Sequence, residues 1–349
     1  MISQSFIRLA FENLLSEMTI QDYISKGGTL VLDPVEMSTS ADEILANYGN
    51  IVDSICIVAK SEAGSAYYPS STAPKDPRFG ELFTAFAQIA NDIGIRVYAL
   101  IHGNMDGFFS RDPNFQMHRS GGIALEGYVC PTQEVYWQYL AEIAVEVASK
   151  SQIEGIILKD LMYPRDVACF CENCRRTFAL EVNIDRDFSL EQLKKKPAIY
   201  SKWQTNRVNA LRGMISTIIN RVHSEKKVEI ITELVLDPET LYFDGATNHF
   251  AQDIRMISQI TPHVLLHLHP WSSFPTNDDE MNVLMDALAP IRERMEGMRN
   301  SIFLWQPDTT TFNYAQSLQN QLSSSHIFFT DYQPVSFLNR RTLHLNLGV

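Results

Sequence analysis

Eight short apolar, β-rich runs recur along the chain with amphipathic helical stretches between them, and nearly every run turns abruptly polar or aromatic at its C-terminal end. The runs are Thr29 to Asp33, Ile51 to Lys60, Ile95 to His102, Ile153 to Asp160, Val228 to Asp237, Val264 to His269, Ser301 to Trp305 and His326 to Asp331. Helical periodicity is clearest at Arg78 to Asp92, Glu134 to Ala148, Ala198 to Val222, Asp279 to Met298 and Tyr314 to Leu322. Gly94 closes the first of these helices and Pro131-Thr132 opens the second. Such alternation marks βα units around a parallel sheet, and eight of them predict an α/β fold of the (β/α)8 TIM-barrel type, with reactive groups at the C-terminal ends of the strands. The competing arrangement, an open doubly wound sheet, needs a glycine-rich phosphate turn after an early strand. The segment Leu30 to Ser38, LVLDPVEMS, is not one.

No Pro/Gly/Ser linker divides the chain, so residues 29 to 349 read as one barrel domain. The tail after Pro334 is too short for a closing helix, and residues 1 to 28, with a helix at Phe6 to Glu17, are expected to pack in its place. The longest inserts, Gly103 to Val129 and Leu161 to Pro197, follow the third and fourth strands and belong to the catalytic face of a barrel. With 29 Lys and Arg against 41 Asp and Glu, the net charge of −12 repels phosphate backbones and anionic lipid headgroups, which argues against nucleic-acid and membrane partners. No apolar run approaches the roughly 18 to 20 residues of a membrane span, and Arg8 and Glu12 interrupt the first apolar stretch. The expectation is a cytoplasmic protein without a signal peptide.

Three of the five cysteines crowd into Cys169-Phe-Cys171-Glu-Asn-Cys174. Disulfides between such close neighbours would be strained, whereas thiolates two or three residues apart on a turn can share one zinc ion. Cys130, which precedes a helix on the neighbouring loop, would supply the fourth ligand. Four thiolates leave no open position for water, so the expected cofactor is a structural zinc that pins two loops together. Three reduced thiols in a loop are the plain alternative. Cys56, inside an apolar strand, reads as a core residue.

The lone Cys130-Pro131 before a helix, then a strand ending in a carboxylate, then C-F-C-x-x-C-x-x-x-F from Cys169 to Phe178, resembles the zinc-bearing loop of the family-42 β-galactosidases. The spacing from Asp160 to Cys169 matches the distance there from the acid/base glutamate to the first clustered cysteine. Ala59-Lys60, Tyr67-Tyr68-Pro69 and Leu158 to Pro164 are similar to a family of uncharacterised barrel proteins classed with glycosyl hydrolases. The resemblance covers residues 29 to 180 well and the rest by strand order. It implies a barrel acting on carbohydrate, and because relatives with this loop architecture are often multimeric, a possible homo-oligomer. Two positions depart from it: Asp160 stands where the family has Asn-Glu, and Trp305-Gln306 replaces a glutamate at the seventh strand.

Glycosidic cleavage requires one carboxyl group that gives a proton and a second, ionised one that attacks or activates water. Asp160 is the first candidate, placed by strand alternation on an inward row with Ile156 and Leu158, while Lys159 would face the other way. Its plain alternative is a turn cap before Tyr163-Pro164. Glu233, alone in an apolar run, is the second candidate, with a pKa expected to be raised by desolvation; the competing view pairs it with Lys60 or Arg207. Asp331, then Asp308 and Glu62, are substitutes. Lys60, Tyr68, His102, Tyr163, His269, Trp305 and Asp331 are expected to position the sugar, with aromatic rings stacking on its apolar faces. Tyr67, Phe108, Phe109 and Trp271 are further candidate rings, and Glu142 and Glu146 read as a solvated helix face. The leading function is a glycoside hydrolase. The alternatives are a carbohydrate-binding barrel without catalysis, and a metal-dependent lyase or hydrolase using His267 and His269.

Overall fold

The computed structural model describes residues 28–33, 53–236, 243–268, 297–305, 309–324 and 326–330, with scattered positions between 279 and 295. Ten strands are present among them. They are β1 (Gly28–Leu32), β2 (Ser54–Lys60), β3 (Arg96–His102), β4 (Gln116–His118), β5 (Ala124–Val129), β6 (Gly155–Lys159), β7 (Glu229–Leu236), β8 (His263–Leu268), β9 (Arg299–Trp305) and β10 (Ile327–Thr330). Eight of them form a closed barrel in the order β1-β2-β3-β6-β7-β8-β9-β10, every neighbouring pair parallel, and Gly28, Thr29 and Leu30 register against Ile327, Phe328 and Phe329 to close the ring. All eight apolar runs therefore become barrel strands in chain order.

The helices are α1 (Leu82–Asp92), α2 (Glu134–Lys150), α3 (Glu172–Val182), α4 (Leu190–Lys194), α5 (Pro197–Glu225), α6 (Phe243–Phe250), α7 (Ile254–Ser258) and α8 (Thr309–Leu322). No described helix is long and apolar enough to cross a membrane. Local chemistry sets several ends. Ser189 and Gln192 form a reciprocal capping box on α4, Pro197 occupies the first turn of α5, and Asn183 closes α3 in the left-handed region. The α2 and α5 helices pack closely because Gly213 leaves room for the Trp137 ring, which a Cβ there would meet at 2.7 Å. The expected N-terminal helix and most of the helix expected over Asp279 to Met298 lie outside the described residues.

Side chains inside the barrel form layers. Glu229 and Glu233 on β7, and His263 and His267 on β8, are each four residues apart and so share the inward face. Near the N-terminal ends, His263 bridges Glu229 at 3.1 Å and Ser301 at 2.9 Å, and the Tyr98 hydroxyl meets His326 at 3.3 Å. Leu100, Ile157, Ile231 and Leu265 fill the next layer, all buried. Above them stand His102, Lys159, Glu233, His267 and Phe303.

Outside the barrel, one reading of the sequence is corrected. Glu146 on α2 is not a solvated charge: its carboxylate accepts from Tyr68 Oη at 3.0 Å, Ser70 Oγ at 2.5 Å, the Ser71 amide at 2.9 Å and Thr72 Oγ1 at 3.0 Å, with Ser71 Oγ as a further donor. Partial burial raises its pKa, and the donors from Ser70, Ser71 and Tyr68 outweigh that and lower it. A carboxyl whose folded pKa is depressed stabilises the fold above the ordinary carboxylate range and loses that contribution as pH falls through it. Replacing Glu146 with Ala should lower unfolding free energy by about 1–3 kcal/mol at neutral pH, by chemical denaturation, with the deficit shrinking in acid as the native carboxyl is protonated.

Candidate functional site

At the C-terminal mouth of the barrel the charged groups form one continuous chain. His102 Nδ1, on the last residue of β3, lies 2.6 Å from Asp160 Oδ2 and 3.5 Å from Glu62 Oε1. Lys159 Nζ lies 3.3 Å from Asp160 Oδ1 and 3.1 Å from Glu233 Oε1. The same Glu233 oxygen meets His267 Nδ1 at 2.6 Å, and Oε2 accepts the Asp160 amide at 2.6 Å. Asp160 and Glu233, picked out separately from the sequence, are thus one hydrogen-bonded unit, with His102 attached.

How Asp160 reaches this position differs from the expectation. Lys159, the last residue of β6, is the inward residue: it contacts Glu233 on β7 and stands over the Phe303 ring of β9 at 5.3 Å. Asp160 follows the end of the strand at φ +58°, a left-handed conformation that aspartate tolerates better than most residues, and this turn brings its carboxylate back over the mouth. A buried lysine in an apolar strand is the sequence signal that alternation counted from Asp160 misassigned.

The electrostatics also reverse one expectation. Burial does act to raise the pKa of Glu233, but Lys159 and His267 outweigh it together with its hydrogen bonds, so the carboxyl is held below the ordinary range and stays ionised. Its partners are Lys159 and His267 rather than Lys60 or Arg207. Lys60 is fully buried, its ammonium 3.0 Å from Asp106 Oδ2 and donating to the His102 carbonyl at 2.9 Å. Tyr136 donates to the same Asp106 oxygen at 3.1 Å and to the Gly103 carbonyl at 2.6 Å. Lys60 thus underpins the mouth instead of lining it. Arg207 is held elsewhere, donating to the carbonyls of Arg165, Asn248 and His249.

Two of the expected sugar-contacting tyrosines are placed away from the carboxylates. Tyr68 is buried against Phe83 with its hydroxyl on Glu146, in the helix layer. Tyr163 is buried with the Arg207 guanidinium over its ring at 4.6 Å, and Arg207 lies at the same distance over Trp203. Tyr67 packs edge-on against Phe79, and Phe109 belongs to a cluster with Phe115, Tyr136 and Tyr139. His269, Trp271, Asp308 and Asp331 lie outside the described residues, and of Trp305 only the backbone, closing β9, is described.

The cysteine cluster forms on the two long loops. Cys130, Cys169, Cys171 and Cys174 bring their sulfurs within 4.8 Å of one another, with Cys130 and Cys174 at 3.4 Å and Cys130 and Cys171 at 3.8 Å. A tetrahedron built on thiolate–zinc bonds of about 2.3 Å has edges of roughly 3.7–3.8 Å, so the spacing suits a bound thiophilic ion. Hydrogen bonds from the other sulfurs lower the pKa of Cys171, while burial raises that of Cys169. The same loops are tied by backbone, in contacts the sequence did not reveal. The β4–β5 hairpin precedes Cys130, whose amide donates to Phe115; Phe170 donates to His118 at 2.8 Å and Ser120 to Val167 at 3.3 Å. Beside the cluster is a cavity of about 260 Å³ whose lining includes Thr132, Tyr163, Cys169, Cys174, Trp203 and Arg207. Cys56 is buried in β2, apart from the cluster.

No family model matches the chain, and no curated protein matches it in sequence. Solved structures do share its fold. The PgaB (BpsB) glycoside hydrolase domain from Bordetella bronchiseptica superposes with a TM-score of 0.64 at 13% identity, covering 92% of this chain and 97% of that one. The catalytic domain of a β-amylase from Paenibacillus polymyxa gives 0.60 at 12% identity, with 91% and 98% covered. An α-L-fucosidase isoenzyme 2 from Paenibacillus thiaminolyticus gives 0.57 at 19% identity, where 91% of this chain spans 48% of the enzyme. At these identities the likeness establishes the (β/α)8 barrel, the architecture that these glycoside hydrolases use.

Because Lys159 is the shared counter-charge of two buried carboxylates, Lys159→Met should lower stability by about 3–5 kcal/mol in denaturant titration at neutral pH. The double variant K159M/E233Q, which also removes one of the uncovered charges, should recover part of that loss.

Proposed function

We propose that this barrel is a glycoside hydrolase whose reaction depends on Asp160 and Glu233 at its C-terminal mouth. The observation that carries this reading is the unbroken chain from Glu62 through His102, Asp160, Lys159 and Glu233 to His267, set where barrel enzymes place their chemistry. The roles divide by environment. Glu233, ionised by its lysine and histidine, supplies fixed negative charge that favours the oxocarbenium-like transition state and holds the Asp160 backbone. Asp160, hydrogen-bonded to the His102 imidazole, exchanges its proton with that ring and so sets the charge at the mouth. Carbohydrate is the substrate class, and the carbohydrate-acting enzymes of similar fold support it. The likeness of the cysteine loop to the family-42 β-galactosidases belongs to this proposal as well.

A second reading is favoured by one observation: the side chains of Asp160, Lys159 and Glu233 are all fully buried. A barrel that binds sugar without cleaving it would have the same network as a structural plug. The two readings separate in an assay of aryl glycosides and oligosaccharides. Asp160→Asn should reduce turnover by at least about 100-fold while leaving the melting temperature close to that of the wild type. Binding of an oligosaccharide with no product from either protein would favour the second reading.

We further propose that Cys130, Cys169, Cys171 and Cys174 hold a structural zinc ion. Bound there, the ion would supply four strong bonds between the two long loops and no reactive position. Metal analysis of the full chain should give one zinc per chain. Cys171→Ser should lose it, and with it part of the thermal stability, whereas His267→Ala should retain it and so exclude a metal centre built on that histidine.

A further inference from the structure

Cleavage of a glycosidic bond needs a carboxyl group that can touch the substrate, and Glu233 is ill placed for that. It is fully buried, with Oε1 on Lys159 and His267 and Oε2 on the Asp160 amide. The Asp160 side chain is fully buried too, against 16% exposure for that of Glu62. Glu62 is therefore the most open carboxylate of the connected set. It is also firmly mounted. Its carbonyl accepts from Gly107 at 2.8 Å, and the turn is closed by Gly64 donating to Ser61 and Ser61 donating to Ser65. Gly64, at φ +86°, lies where a Cβ would strike Asp106 Oδ1 at 2.3 Å, so only glycine lets this loop seat on the Lys60–Asp106 pair. One donor atom from each of Glu62, His102 and Asp160 lies within 4.8 Å of the other two, so the three side chains form one cluster.

We infer that Glu62 is the substrate-facing carboxylate of this site, coupled to Asp160 through Nδ1 of His102; the inference rests on the glycosidase reading and deepens it. In the step it performs, protonated Glu62 transfers its proton to the glycosidic oxygen as the bond from that oxygen to the anomeric carbon breaks, its electron pair staying on the oxygen. The resulting carboxylate later takes a proton from the water that adds to the anomeric carbon, so one water is consumed per bond and the acid is regenerated. Between these events the His102 ring, hydrogen-bonded to Asp160 Oδ2 at 2.6 Å with Nδ1 at 3.5 Å from Glu62 Oε1, stands beside the new charge on Glu62. Glu62 touches substrate and is catalytic on this assignment, and His102 is a positioning residue.

The test compares the full-length wild type with Glu62→Gln and Glu62→Ala on aryl glycosides across pH 4 to 9. The inference expects Glu62→Gln to lose about 100-fold or more in kcat with KM changed less than about threefold, to lose one limb of the pH profile, and to unfold at the wild-type temperature. Formate should restore part of the activity of Glu62→Ala. A Glu62→Gln protein with wild-type kcat and pH profile overturns the inference while leaving the glycosidase reading standing. Should the wild type cleave none of the glycosides, that reading fails instead. Labelling of the native chain with a water-soluble carbodiimide and glycinamide then decides: modification of Glu62 with Asp160 and Glu233 spared supports the placement, and an unlabelled Glu62 overturns it.

Discussion

The mouth of this barrel depends on one ammonium group. Lys159 enters from the last position of β6 and stands between two buried carboxylates, within ion-pair distance of both. Its stem crosses the barrel above Phe303, and its head fixes both Glu233 and Asp160. Everything else at the mouth is arranged around that placement. His267 completes Glu233, the Asp160 amide closes on the second Glu233 oxygen, and His102 holds the remaining face of Asp160. The Lys60–Asp106–Tyr136 group repeats the same solution one layer out, where a buried lysine on β2 pairs with a buried aspartate and donates to the His102 carbonyl at the end of β3.

What surrounds the mouth is stiff for a comparable reason. The loops after β3 and β6 are joined twice, by main-chain contacts between the β4–β5 hairpin and the Ala168 to Phe170 segment, and by four sulfurs from both loops. Either set alone would leave a long insertion free to pivot about the other. Beside them the Arg207 guanidinium lies over both the Tyr163 and the Trp203 ring.

The strand order was legible because each barrel strand lies in a mainly apolar run, nearly all of which end in a polar or aromatic residue, with helical periodicity between them. The gathering of the four cysteines was legible too, since three of them lie two or three residues apart on one loop and Cys130 on the neighbouring one. The facing of Lys159 was not, because alternation holds only while the strand lasts, and Asp160 lies one residue past its end in a left-handed turn. Nor was the pKa of Glu233: burial could be read from the neighbours in sequence, but Lys159 and His267 arrive from other strands. Tyr68 looked like a rim residue by its position after β2. Its partner, Glu146, lies 78 residues further on, across the helix layer.

The layered interior has a consequence for how such a protein can change. Leu100, Ile157, Ile231 and Leu265 form an insulating plug between the Glu229–His263–Ser301 group below and the Lys159–Glu233–His267 group above. These four aliphatic side chains carry no donor or acceptor, so a rearranged hydrogen bond on one side is not handed through them to the other. A substitution that rewires hydrogen bonding at the lower end therefore leaves the partners of the upper group in place, and the reverse holds as well.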